Sequence, residues 1–173
     1  MMSPTLTGRG AGPMPTLDAT AERNKQLARR WFQEVWNNRN YNAVNELAHP
    51  TAKAWGFTER PGHVTTIAEF RPFWQKFLDA FPDIHITVDD VIAEGDKTCM
   101  RITANATHTG HGLGIPPTGR PVKISALILV EWRDGKIYQA WNEFDAYGMM
   151  QQLAPASGPA AAVPPTHTMH IKT

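Results

Sequence analysis

Residues 84–146 read IHITVDDVIAEGDKTCMRITANATHTGHGLGIPPTGRPVKISALILVEWRDGKIYQAWNEFDA, and their two-residue period decides the fold. The stretch divides into four strands, over 84–94, 97–108, 121–132 and 136–146. Gly95-Asp96 and Asp134-Gly135 stand where tight hairpin turns belong. The longer link TGHGLGIPPTGR carries four glycines and two prolines and is expected to be a surface loop. The third strand is apolar on both alternating sets: Ile124, Ala126, Ile128 and Val130 on one, Leu127 and Leu129 on the other. A sheet with one wet face alternates cleanly, so both faces of this strand are expected to be covered.

Before this meander the period is helical. Leu27, Ala28, Trp31, Phe32, Val35 and Trp36 fall at three-to-four spacing, which predicts a helix over 21–37 with Asp18 or Thr20 as N-cap. Tyr41, Val44 and Leu47 mark a shorter helical piece, and a strand is expected over 51–57. Thr66 and Glu69 have the spacing of a capping box, followed by the stripe Phe70, Phe73, Trp74, Phe77 and Phe81. Pro72 lies inside that stripe and predicts a kink or restart. Helices first and strands last in one domain means α+β. A curled antiparallel sheet with helices on one face leaves a conical cavity.

The chain has 173 residues with 17 Lys plus Arg against 16 Asp plus Glu, a formal charge of +1. That balance argues against a broad nucleic-acid or anionic-membrane surface. No apolar run approaches the ~20 residues of a membrane span. Residues 1–20 lack the apolar core of a secretory signal, so a cytoplasmic location is expected. Cys99 is the sole cysteine, which excludes an internal disulfide, and it reads as a small strand residue. Residues 1–19 and the Pro/Ala-rich 153–173 read as tails around a domain over 20–152. His167 and His170, on the second tail, make a poor metal site.

The stretches FPDIHITVDDVIAEGDK, THTGHGLGIPPTGRPVKI and DGKIYQAWNEFDAYGMMQQL resemble the SnoaL-like polyketide cyclase (ester cyclase) family over about 24–153. The resemblance implies the nuclear-transport-factor-2-like fold, shared with ketosteroid isomerase: helices in the mouth of a strongly bent sheet, with a deep pocket. It implies aldol-type ring closure without a cofactor, and a homodimer through the outer sheet face. Such chemistry needs a carboxylate with a raised pKa to take a proton from carbon, and donors for the enolate oxygen. Aligned on Asp134-Gly135-Lys136, the family's catalytic aspartate falls on Asn142 and its catalytic histidine on Ile128. Asparagine is no base near neutral pH.

Asn142 is therefore read as an oxyanion donor or ligand-orienting amide, or as a strand amide paired with a neighbour. Asp145, the motif aspartate that survives, is a candidate general base or a cap at Gly148; Glu143 is a weaker candidate beside it. Three residues along a strand put Asp145 on the opposite face from Asn142 unless a bulge intervenes. His108 shares parity with Met100, Ile102, Ala104 and Ala106, and is a candidate proton carrier or a strand-end histidine bonded to the loop. His108 and His111 lack a further ligand at a familiar spacing, so no metal site is expected. Glu59 and His63 are candidate acid and base at the rim, or ordinary loop polarity, while His49-Pro50 reads as a structural turn. Trp31, Trp55, Phe73, Trp74 and Ile128 are expected to line the cavity, suiting a flat or polycyclic apolar guest. The glycines of 110–119 suggest a hinged lid.

Two functions follow. One is a cofactor-free enzyme acting on a hydrophobic, carbonyl-bearing small molecule by cyclisation, isomerisation or dehydration. The alternative is a hydrophobic binding protein that keeps the pocket and has lost the base. A purely scaffolding domain is a weaker third reading.

Overall fold

In the computed structural model, residues 19–57 and 62–155 are described. Both expected tails and Glu59 lie outside these residues, apart from Ala19 and 153–155 at the tail boundaries. Helix α1 (Ala19–Trp31) runs into a π-helical segment over Phe32–Asn37, and α2 spans Asn42–Leu47. Strand β1 (Ala48–Trp55), a two-residue β2 (Thr65–Thr66) and α3 (Ile67–Ala80) follow. The meander is β3 (His85–Glu94), β4 (Lys97–Thr107), β5 (Pro121–Arg133) and β6 (Lys136–Phe144), closed by α4 (Ala146–Leu153). The architecture is α+β, as expected. One six-stranded sheet has the order β2-β1-β6-β5-β4-β3, with only β1 and β6 parallel.

Local chemistry accounts for the boundaries. Glu69 accepts from the Thr66 backbone N–H and hydroxyl, both at 2.9 Å, as its part of the capping box. The helix does not restart at Pro72. That residue and Ala68, whose carbonyl it leaves without a helical donor, are both exposed, so the lost bond falls on the solvent side of the helix. Strand β1 begins three residues earlier than its expected start at Thr51. The register with β6 slips between Ala48 and Lys53, and this irregularity accommodates Pro50, which has no N–H for the ladder.

Helix α1 ends sooner than the expected 37. At 3.6 residues per turn, Trp31 and Trp36 would point about 140° apart. The wider i-to-i+5 turn brings residues five apart closer to one side. It turns Trp31, Phe32 and Trp36 together toward the interior.

The sheet curves over the helices, and the parity of β5 is resolved as two faces. Val122, Ile124, Ala126, Ile128, Val130 and Trp132 point inward and are buried. Leu127 and Leu129 point outward and are 54% and 40% exposed. Phe81, fully enclosed at the end of α3, packs on Phe77 and on His108. Truncating such a residue costs about 3–5 kcal/mol. Among the described residues, no helix is long and apolar enough to cross a membrane.

Candidate functional site

Between the concave sheet face and the helices lies a chamber with about 130 Å³ of free space. Helix α3 contributes Phe70, Phe73 and Phe77, and the π-helical turn contributes Trp36 beside Trp31. The sheet contributes mostly small or aliphatic residues, including Ala104, Ala126, Ile128 and Ala140. The volume is close to that of an engineered cavity of roughly 150 Å³ that binds benzene. A guest of more than one or two rings must therefore protrude through the mouth or spread the aromatic wall. The exposed lining residues Lys53 and Thr66 mark where the chamber meets solvent.

The polar features of this wall are few. Asn142 is 9% exposed, and its Nδ2 donates to the Trp55 carbonyl at 2.8 Å. That bond fixes the amide orientation, because a carbonyl accepts and cannot donate. Oδ1 is left as an acceptor with no protein partner among the described residues. The approach is tight: Gly56 has φ +87°, and a Cβ there would lie 1.8 Å from the Asn142 carbonyl oxygen. Only glycine fits at this position. Thr65 is 4% exposed, lines the chamber, and its hydroxyl has no partner among the described residues. Lys53 is the only lysine, arginine, histidine or carboxylate in the wall among the described residues.

Asp145 lies past the end of β6, outside the chamber wall. Its Oδ1 accepts from the Gly148 N–H at 2.7 Å as the N-cap of α4, so it does not meet Asn142. Glu143 is exposed. His108 is completely buried but lies behind the wall. Its Nδ1 accepts from the Thr118 N–H at 3.3 Å, and Nε2 has no partner among the described residues. His63 sits 3.4 Å from a carboxylate oxygen of Glu69 and is not part of the wall. Hydrogen bonds from the Thr66 backbone, more than the nearby imidazole, hold the Glu69 carboxyl below its ordinary value.

Two of the expected aromatic lining residues are elsewhere. Trp55 follows inward-facing Ala54, so its indole lies on the outer face, stacked on Trp141 at 5.1 Å. Trp74 is core: its Nε1 donates to the Val35 carbonyl at 3.1 Å and its ring packs on Tyr41. Trp31, Phe73, Ile128 and Asn142 do line the chamber. Sequence reading missed Thr65, Phe70 and Trp36 as lining.

The loop after β4, expected as a hinged lid, packs closely against α3. The Gly110 N–H donates to the Ala80 carbonyl at 3.1 Å. A Cβ at Gly110 would lie 1.6 Å from the Asp79 carbonyl oxygen, and one at Gly112 1.8 Å from that of Lys76. These glycines let the loop press onto α3. No group of three His, Cys, Asp or Glu among the described residues is arranged to hold a metal.

The family model of the SnoaL-like polyketide cyclases matches residues 26–153. A search of curated proteins finds no match. Among solved structures, IdmH from Streptomyces antibioticus, a candidate polyketide cyclase, is 29% identical with a TM-score of 0.67, covering 75% of this chain and 97% of its own. TsrD from Streptomyces laurentii is 26% identical with a TM-score of 0.67, covering 80% and 98%. AclR from Streptomyces galilaeus, a candidate hydroxylase, is 24% identical with a TM-score of 0.69, covering 77% and 96%, and shares the fold. The bent sheet, the helix-roofed chamber and a match over nearly the whole described domain agree: this chain belongs to the SnoaL-like polyketide cyclase family, with its nuclear-transport-factor-2-like fold.

Proposed function

We propose that the chain binds a hydrophobic, oxygen-bearing small molecule of polyketide type and promotes its ring closure, isomerisation or dehydration without a cofactor. The observation that carries this reading is the Asn142 amide in an apolar chamber, anchored through Nδ2 on the Trp55 carbonyl with Oδ1 unpartnered among the described residues. Holding a flexible chain folded in a dry site replaces an improbable encounter by a near-attack geometry, an effect of about 7–11 kcal/mol in well-oriented systems. Asn142 Oδ1 accepts from an enol hydroxyl of the guest, and the spare Nδ2 hydrogen donates to a carbonyl. Lys53 at the mouth attracts an ester or acid end.

The test is incubation with a poly-β-ketone ester whose spontaneous aldol closure is slow, with products followed by mass spectrometry. Acceleration over buffer, reduced about tenfold or more by Asn142→Ala, supports the reading. The second reading is a binding protein without chemistry, favoured by a wall that lacks carboxylate and imidazole among the described residues. Saturable binding with no product after prolonged incubation supports that reading and overturns the first.

We also propose that a second copy covers the outer sheet face. The register joins Trp55, Trp141, Leu129, Cys99 and Ile92 into one apolar row across five strands. Arg101 and Asp89, paired at 3.2 Å on the same face, supply both charge signs for a self-complementary contact. The cytoplasm remains the proposed location.

A further inference from the structure

Resting on the chamber as a ligand site, we propose that Phe57 sets the upper size of the guest: its ring closes the chamber beside Asn142 and turns outward to admit a molecule of more than two rings. The free space of about 130 Å³ takes one or two rings, so a larger guest displaces part of the wall. Phe57 is the part that can yield. The other aromatic rings lining the chamber are carried by α1, the π-helical segment, α3, β5 and β6. Among the described residues, Phe57 alone of the lining aromatics stands outside any helix or strand. It is half-buried, and the neighbouring Gly56 is exposed, so this part of the wall lies at the surface.

Residues 55–57 form a strap fastened to Asn142. The Trp55 carbonyl accepts from Asn142 Nδ2, and Gly56, at φ +87°, presses its backbone against the Asn142 carbonyl. From there the Phe57 ring reaches across to α3, with its centroid 4.6 Å from that of Phe73 and 5.8 Å from that of Phe70. The backbone of the strap is pinned, whereas the Phe57 side chain is held by ring contacts. A change of its χ1 rotamer takes the ring off α3 and leaves in place both Asn142 and the floor made by Ala54 and Ala140, which stand opposite each other on β1 and β6. Moving any other aromatic of the wall aside disturbs the helix or strand that carries it. The contacts Phe57 gives up count against a large guest, because apparent affinity falls with the fraction of molecules in the admitting conformation. The end of the guest that meets Asn142 is therefore small, with one or two rings.

Naphthalene, 2-naphthol and 1-hydroxypyrene are titrated by calorimetry into the full chain as wild type, Phe57→Ala, Phe57→Leu and Phe32→Leu. Phe32 also lines the chamber, but it is 5% exposed and held in the π-helical segment, so it controls for added space alone. Wild type is expected to bind the two-ring probes and to discriminate against 1-hydroxypyrene. Phe57→Ala raises the ratio of 1-hydroxypyrene to 2-naphthol affinity about tenfold or more, Phe57→Leu raises it by less, and Phe32→Leu leaves it within about twofold. Phe57→Leu keeps a side chain on α3 and carries the test should the alanine variant fail to fold. If naphthalene binds and the Phe57 variants keep the wild-type ratio, or Phe32→Leu raises it as much as Phe57→Leu does, the size limit at Phe57 falls and the chamber reading stands. Wild type that binds 1-hydroxypyrene as tightly as 2-naphthol overturns the size limit as well. If neither two-ring probe binds wild type, both fall.

Discussion

The Asn142 side chain donates to the Trp55 carbonyl at 2.8 Å, tying the cavity face of β6 to the end of the parallel strand β1. The backbone partner tolerates a donor at this position and repels an acceptor. An ionised aspartate at this position would set two acceptors against each other.

That relationship makes Asn142→Asp informative. The new carboxyl must keep its proton to donate to Trp55, and desolvation by the apolar wall acts in the same direction, so its pKa rises. With the folded value above the unfolded one, the variant matches wild type best below about pH 3.9. It loses stability as pH climbs from there through the folded pKa, then levels off. Urea unfolding from pH 4 to 8 measures the gap, and a constant gap across that range would contradict this electrostatic account.

The glycines of the β4–β5 loop give a steric prediction. Gly110→Ala and Gly112→Ala drive a Cβ into α3 carbonyl oxygens and are expected to cost about 1–3 kcal/mol each or more. Gly114 has φ +74° and open space around it, so Gly114→Ala costs only backbone strain, about 1–2 kcal/mol. Thermal unfolding ranks the three. Equal small effects would restore the hinge reading.

These cases show where sequence was sufficient and where it was not. Period-two alternation, the turns at Gly95-Asp96 and Asp134-Gly135, and the Thr66/Glu69 box are local signals, and the elements they mark formed, although β4 stops at Thr107 and β6 at Phe144, short of the expected 108 and 146. The site depends on non-local facts. Parity along β6 put Asn142 inside, but the end of β6 at Phe144 freed Asp145 to cap α4. Trp55 looked like lining until the register with β6 set it on Trp141. Thr65 emits no sequence signal, because a hydroxyl declares itself only when its surroundings fail to bond it. Glycines that permit close approach and glycines that permit motion look alike in a sequence; only the Asp79 and Lys76 carbonyls distinguish them.

Acid sensitivity is expected to run through Asp83. Its Oδ1 accepts from the Thr107 N–H at 2.7 Å, pinning the end of β4, and this bond holds its pKa below the ordinary 3.8. A depressed folded value means stability that is fully present above about pH 3.8 and lost as pH falls through the lower folded pKa. The group is exposed, so solvent screening limits the effect to no more than about 1 kcal/mol. Asp83→Ala should be less stable than wild type at pH 6, with the difference closing below pH 3.8. A gap that does not shrink at all as pH falls would assign the loss to packing.

The outer row is tested by Leu129→Lys. Leu129 is 40% exposed and central to the row, so a lysine there leaves the chamber wall untouched while burying a charge if a second copy covers it. Sedimentation at micromolar concentration should show wild type as a dimer and the variant shifted toward monomer. A monomeric wild type, or a variant dimer of equal strength, refutes the covering copy.

Filling the chamber should separate stability from function. Ala140 is buried and lines the cavity. In a packed core, Ala140→Leu would clash and cost about 1–3 kcal/mol. Here the added atoms enter free space against Phe and Ile side chains, and each buried methylene contributes about 0.8 kcal/mol. Three added carbons thus give a gross gain of about 2 kcal/mol, reduced by the side-chain entropy of ordering a leucine, about 0.5–1 kcal/mol. Ala140→Leu is therefore expected to raise Tm while abolishing naphthalene binding. A destabilised variant would mean that the space is closed in solution, whereas a stabilised variant that still binds would move the guest away from the β1–β6 floor.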